Sequence, residues 1–156
     1  MTMNKTTIKI LISLTMTVAM AFVMLFPANE TTASANSSKY VSIYNVANSK
    51  LGTRYVYGST GPSSFDCSGF VRYIFKHGAN KNLARTAQAQ YNTTKKISKK
   101  QLKKGDLVFI GASTKSIYHV GMYIGNGEMI DAQNRGVVKE SIHAPWWHVV
   151  GYTRAI

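Results

Sequence analysis

Five short β-like runs follow one another in the C-terminal part of this chain: Leu107 to Gly111, Tyr118 to Ile124, Glu128 to Gln133, Val137 to Ile142, and His148 to Arg154. The helical signals all come before them. Residues 40–51 carry Val41, Ile43, Tyr44, Val46, Ala47 and Leu51, the spacing of an amphipathic helix, ended by Gly52. Phe70, Val71, Ile74 and Phe75 fall at helical spacing in a second segment that runs to about His77-Gly78, and Leu83 to Tyr91 is a short third candidate. A short aromatic stretch, Arg54 to Thr60, leads into a Gly/Pro/Ser loop over Gly58 to Ser64, and Lys104-Gly105-Asp106 reads as a turn. Helices first and consecutive strands after predict an α+β fold. Its helices pack on one face of an antiparallel sheet of about five strands.

The N-terminus has a different character. Lys5 and Lys9 precede an uncharged apolar run from Ile10 to Phe26, Pro27 breaks it, and Ala33-Ser34-Ala35 fits the small-x-small cleavage rule. These features predict a secretory signal peptide over residues 1–35, with an uncleaved membrane anchor as the alternative. The expected product is a single domain, residues 36–156, that is secreted and extracellular or cell-wall associated. It meets the membrane only through the signal peptide before cleavage.

Removing Lys5, Lys9 and Glu30 changes the formal net charge from +13 to +12. A field of that sign implies an anionic partner: the anionic polymers of a cell wall, anionic lipid, or extracellular nucleic acid. Lys95, Lys96, Lys99, Lys100, Lys103 and Lys104 crowd together, either as a solvated face or as a binding patch. Single-stranded nucleic-acid binding needs aromatics interleaved with the basic residues, and only Tyr91 lies near. No specific nucleic-acid partner is expected.

Cys67 is the only cysteine. It cannot form an internal disulfide, so it is either an inert buried thiol or a reactive one. Its place at the first turn of the second helix puts it at unpaired backbone N–H groups and the positive end of the dipole, which favour a thiolate. His119 lies on the second β-like run. A cysteine so placed, with a histidine in reach, is the nucleophile arrangement of a papain-like hydrolase.

Asp131 is the third candidate. A buried carboxylate within an apolar strand needs a partner, and His119 is the nearest. Alternation puts His119, Gly121 and Tyr123 on one face, and Met129, Asp131 and Gln133 on one face of the return strand. A two-residue Asn126-Gly127 turn would put Asp131 on the face opposite His119. A three-residue loop would set Asp131 opposite Gly121, diagonal to His119; a five-residue loop would set it directly opposite His119. An orienting role for Asp131 requires an odd loop, and Gly121 leaves room for the contact. His77 and His143 read as loop residues, and His148 follows Trp146-Trp147 where a cleft wall is conceivable. No paired His or Cys spacing suggests a metal site.

Four ordered segments carry a resemblance: Tyr55-Val56-Tyr57-Gly58, Phe65-Asp66-Cys67-Ser68-Gly69-Phe70-Val71, Leu102-Lys103-Lys104-Gly105-Asp106-Leu107-Val108-Phe109, and His119-Val120-Gly121-Met122-Tyr123-Ile124-Gly125-Asn126-Gly127. Together they resemble the NlpC-type cell-wall peptidases, papain-like hydrolases that cut peptide bonds in the stem peptides of peptidoglycan. The resemblance spans about residues 40–156. It implies a cysteine endopeptidase with Cys67 as nucleophile, His119 as base and Asp131 as the third polar residue, where many members carry histidine. It implies that Tyr55 lies beside the nucleophile and that Asp66 and Ser68 help hold the substrate peptide. It implies no cofactor and no metal. Leu83-Ala84-Arg85-Thr86 is similar to a Leu-Pro-Arg-Thr segment of that family with alanine for proline, and Ser59 stands where a second glycine is usual. The expected partners are peptidoglycan stem peptides, and anionic wall polymers through the lysine cluster. The alternatives are a CHAP-like peptidoglycan amidase and a basic, non-catalytic wall-binding protein.

Overall fold

The structure is a computed structural model and describes residues 29–156. Residues 36–156 form one compact unit. The predicted signal peptide lies almost wholly outside the described residues. No helix among these is long and apolar enough to cross a membrane.

Helix α1 spans Asn29–Asn48. It therefore begins well before residue 40, where the apolar period starts, and it stops before Gly52, which two tight turns reach instead. Ile43 and Ala47 of this helix are fully buried, one turn apart on the face that meets the core. Helix α2 spans Cys67–Ala79. Asp66 is its N-cap, accepting from the Gly69 N–H at 2.7 Å, and Asn80 closes it in the left-handed conformation at φ 50°. Helices α1 and α2 touch at Gly78, where a β-carbon would lie 2.4 Å from the Ile43 Cα, so a glycine is required for that approach. Helix α3 is Ala87–Thr93, N-capped by Thr86. Its buried Gln90 donates to the carbonyls of Ser68 and Ala84 and ties α3 to the start of α2.

The strands are β1 (Lys95–Ile97), β2 (Leu107–Ser113), β3 (Ser116–Gly125), β4 (Glu128–Gln133), β5 (Gly136–Ser141) and β6 (Val149–Arg154). They form one antiparallel sheet in the order β1-β6-β2-β3-β4-β5. The sheet thus has one strand more than the sequence suggests. The extra strand, β1, lies in the lysine-rich stretch, where the six lysines masked any hydrophobic alternation. Lysine on an edge strand also discourages pairing with another chain.

The core lies between the helices and one face of the sheet. Phe70, Val71, Ile74 and Phe75 of α2 pack with Leu107, Phe109, Val120, Met122, Ile130 and Ala132. Val108, Ile110 and Met129 form a smaller cluster with Ile142, with Tyr123 and Trp147 against it. His119, Gly121 and Tyr123 alternate with Val120 and Met122, so they belong to the same sheet face as Met129.

Candidate active site

The β3–β4 hairpin decides where Asp131 points. Gly125 pairs with Glu128 across a two-residue turn, in which Asn126 and Gly127 have φ of 54° and 74°. Both positive values fit the mirror-image turn that Asn-Gly favours. That turn alone would turn Asp131 away from His119. A bulge between Tyr123 and Gly125 inserts one residue and restores the odd register, so that Tyr123 pairs with Met129 and Met122 with Ile130. Gly121 then falls opposite Asp131, diagonal to His119. This is the register of the three-residue alternative, reached by turn plus bulge.

His119 Nε2 lies 2.7 Å from Asp131 Oδ2. Asp131 is fully buried and His119 is 7% exposed, which shields the pair from water. The Trp147 indole stacks on the imidazole with centroids 4.7 Å apart and planes 12° from parallel. Burial alone would lower the His119 pKa, but the Asp131 hydrogen bond, with the nearness of Cys67, outweighs it and raises the value to about 9.

Cys67 is the first residue of α2 and is buried. Its Sγ is 3.8 Å from the Tyr118 carbonyl oxygen. The N–H groups of Cys67 and Ser68 have no intrahelical acceptor, as at any helix start. The thiol lies near the bonded imidazole and carboxylate, beside N–H groups able to donate to a developing oxyanion.

Two hollows meet at this point. One, of about 680 Å³, is lined by His119, Gln133, Asn134, Arg135, Trp146 and Trp147. The other, of about 460 Å³, includes Cys67, Asp66, Ser68 and Arg85. Tyr55 and Tyr118 belong to both. Burial, then the neighbouring Cys67 and Asp66, push the Tyr55 hydroxyl pKa up. Asp66 has its carboxylate engaged within the fold: it accepts from the Gly69 and Gly58 N–H groups, the Ser68 hydroxyl and both Arg85 Nη atoms. Burial pushes its pKa up, but Arg85 and the two N–H groups overcome this and hold it below the usual range. Arg85 Nη1 also donates to the Ser68 hydroxyl at 3.1 Å.

His148 bonds the Gly111 carbonyl through Nδ1 at 2.7 Å, and His77 lies in the last turn of α2, not in a loop, with its ring tilted 37° against Tyr73. His143 is exposed in a loop. Among the described residues no three His, Cys, Asp or Glu side chains are grouped to hold a metal.

Several groups at the site received no role in the sequence analysis: Arg85, Tyr118, Arg135, Glu140 and Trp147. Glu140 carried a signal, as an acid two residues beyond Val138 in a half-buried strand. Arg85 stood in a segment already singled out.

Residues 52–153 match the NlpC/P60 family. The chain belongs to that family. It is 41% identical over 128 residues to a probable endopeptidase p60 of Listeria grayi, covering 81% of this chain and 25% of that protein. It is 39% identical over 120 residues to the bifunctional muramidase/DL-endopeptidase CwlT of Bacillus subtilis, covering 74% of this chain and 36% of that one. A crystal structure of an NlpC/P60 family protein from Bacillus cereus superposes with a TM-score of 0.70 at 32% identity, over 74% of this chain and 40% of the other. The chain therefore spans about a quarter to a third of the curated relatives' length. The fold of this NlpC/P60 chain is the α+β, papain-like one expected from the sequence.

Proposed function

We propose that this protein is a secreted cysteine endopeptidase that hydrolyses peptide bonds in the stem peptides of bacterial peptidoglycan. The observation that carries the reading is the buried His119–Asp131 bond of 2.7 Å, with Cys67 beside the same ring at a helix start. Family membership and relatives named endopeptidases supply the reaction class.

Asp131 fixes the imidazole tautomer and stabilises the imidazolium. The His119 pKa of about 9 favours the imidazolium, which serves as the counter-ion of the Cys67 thiolate that attacks in this mechanism. The thiolate attacks the scissile carbonyl, and the oxyanion is stabilised by N–H groups at the start of α2. The imidazolium then protonates the leaving amine, and neutral His119 activates water against the thioester. Tyr55, Asp66 and Ser68 form the wall that receives the peptide, with Arg85 holding Asp66 and Ser68 in place. Residues 1–35 direct export, and the lysine cluster holds the enzyme on anionic wall polymers.

Digesting purified peptidoglycan with residues 36–156 and weighing the fragments tests the reading. Products cut within the stem peptide are expected, and none with Cys67→Ala. Release of whole stem peptides from the sugar would mean amidase action instead. Binding without any cleavage would mean a non-catalytic wall protein.

A further inference from the structure

Behind the imidazole lies a second acid that the mechanism above does not use. Glu140 is on β5, where it pairs with Met129, while Asp131 pairs with Val138. With Gly121 opposite Asp131, the residues His119, Asp131 and Glu140 form one diagonal across β3, β4 and β5, all on the same sheet face. Glu140 is 9% exposed. Its Oε2 accepts from Arg135 Nη2 at 2.9 Å.

Three buried atoms of this cluster have no hydrogen-bond partner: Asp131 Oδ1, Glu140 Oε1 and Trp147 Nε1. Asp131 and Trp147 both adjoin the Glu140 carboxyl: burial and then the Asp131 charge push its pKa up, against the pull of Arg135 and the Trp147 indole N–H. Two adjacent buried carboxyls with a bare oxygen each are poorly placed to ionise together. One proton satisfies both oxygens at once.

We propose that Glu140 is a positioning residue for His119: Asp131 and Glu140 share one proton between Asp131 Oδ1 and Glu140 Oε1 at neutral pH, and this bond turns Asp131 Oδ2 toward the imidazole. The inference rests on the reading of Cys67, His119 and Asp131 as the catalytic set. The charged groups around the shared proton are His119 on β3, itself near Cys67 of α2, and Arg135 in the β4–β5 turn. The neutral Trp147 indole also adjoins Glu140, with its N–H left without a hydrogen-bond partner. Two cations then flank a pair that carries a single negative charge. Asp131 can then neither rotate away from His119 nor take up water on its free oxygen.

Infrared spectroscopy of the purified protein at pH 7 tests this without reference to activity. Residues 36–156 hold only five side-chain carboxyls, Asp66, Asp106, Glu128, Asp131 and Glu140, so the spectrum is assignable. A protonated-carboxyl band is expected in wild type and in Glu128→Gln, and its loss in Glu140→Gln. No such band in wild type overturns the proposal. Kinetics on a stem peptide give the second arm. Glu140→Gln supplies an N–H to Asp131 and should keep kcat within a few-fold of wild type, whereas Glu140→Ala should lower kcat by about tenfold or more at unchanged KM, the scale of one lost hydrogen bond to a charged group. Wild-type kcat in Glu140→Ala, or Gln as impaired as Ala, also overturns it. A protein that shows the band but cuts no peptidoglycan would instead overturn the peptidase reading alone.

Discussion

Gly121 and Asp131 face each other across β3 and β4 so closely that a β-carbon on Gly121 would lie 3.1 Å from the Asp131 β-carbon and 2.8 Å from Met129 Sδ. The missing side chain is what lets the carboxylate lean along the diagonal to His119. Gly121→Ala should therefore strain the hairpin and displace Asp131. A stability loss of about 1–3 kcal/mol is expected, the usual cost of overpacking a tight site. The rate should fall with it, since the His119–Asp131 bond is disturbed. Denaturant melts and kcat on a stem peptide check both. Wild-type values for both would show that Gly121 is not needed for the contact.

The three members of the site should not be equally sensitive. Cys67→Ala and Cys67→Ser should lower turnover by about a thousandfold or more, since nothing else supplies the nucleophile. Asp131→Ala should cost less, because the residue orients and does not attack. Asp131→His should keep more activity than Asp131→Ala, as histidine is common at this position in resembling proteins. Single-turnover rates on one defined peptide rank the variants, with circular dichroism confirming their folds. Wild-type turnover in Cys67→Ala would end the thioester mechanism.

The raised His119 pKa fixes the pH behaviour. Its value in the folded protein, about 9, lies above the ordinary histidine value of 6.5. Folding thus favours the protonated ring. The resulting stabilisation is fully present below about pH 6.5 and is lost as pH rises through about 9. Unfolding free energy should decline across that window, and kcat/KM should fall on an alkaline limb near pH 9 as the imidazolium loses its proton. Cys67→Ala removes one of the groups that hold the proton, so the ring should titrate lower in that variant. NMR titration of the His119 ring protons measures the shift. An unchanged midpoint in Cys67→Ala would mean that thiol and imidazole do not interact.

Asp66 combines two duties that one substitution would remove. It caps α2 at the residue before Cys67 and holds Arg85 against Ser68. Asp66→Ala should cost about 1–2 kcal/mol for the cap alone. The lost ion pair with Arg85 should add to that, because Asp66 is buried. Asp66→Asn should fall between, since an asparagine still accepts from the Gly69 N–H. Urea melts of the three proteins check the order. Equal stability of Ala and Asn variants would show that the cap contributes little.

Much of this site was legible in the chain, for reasons that differ by residue. Cys67 was visible because helix spacing after it placed it at an N-terminus. His119 and Asp131 were visible as partners because strand alternation puts each on a definite face. Their relative register was not, because Asn126-Gly127 signals a two-residue turn and nothing in the residue types signals the bulge beside Ile124. β1 was hidden by lysines whose edge position does not need burial. The α1 start was hidden because its first turns are polar, so no apolar period marks them. Glu140 escaped because its meaning depends on a diagonal across three strands, a relationship that only a known register reveals.

The lysine cluster offers a test of how the protein meets its substrate. All six lysines are exposed, but they are not equivalent. Lys96 Nζ bonds the carbonyls of Tyr91, Asn92 and Thr94 at the end of α3, so it is tied to the fold. Lys103 and Lys104 adjoin the Gly105-Asp106 turn, where the Lys103 N–H bonds Asp106. Lys95, Lys99 and Lys100 are therefore the residues to change. Exposed charges act through a field screened over roughly 8 Å at physiological salt. Retention on purified walls should weaken steeply as salt rises, and replacing the three lysines by Gln should weaken it further at low salt. Cleavage of a small soluble stem peptide should change little, because the Cys67–His119 pair is untouched. A pull-down across a salt series decides the point, and equal retention of variant and wild type at low salt would reduce these lysines to a solvated edge.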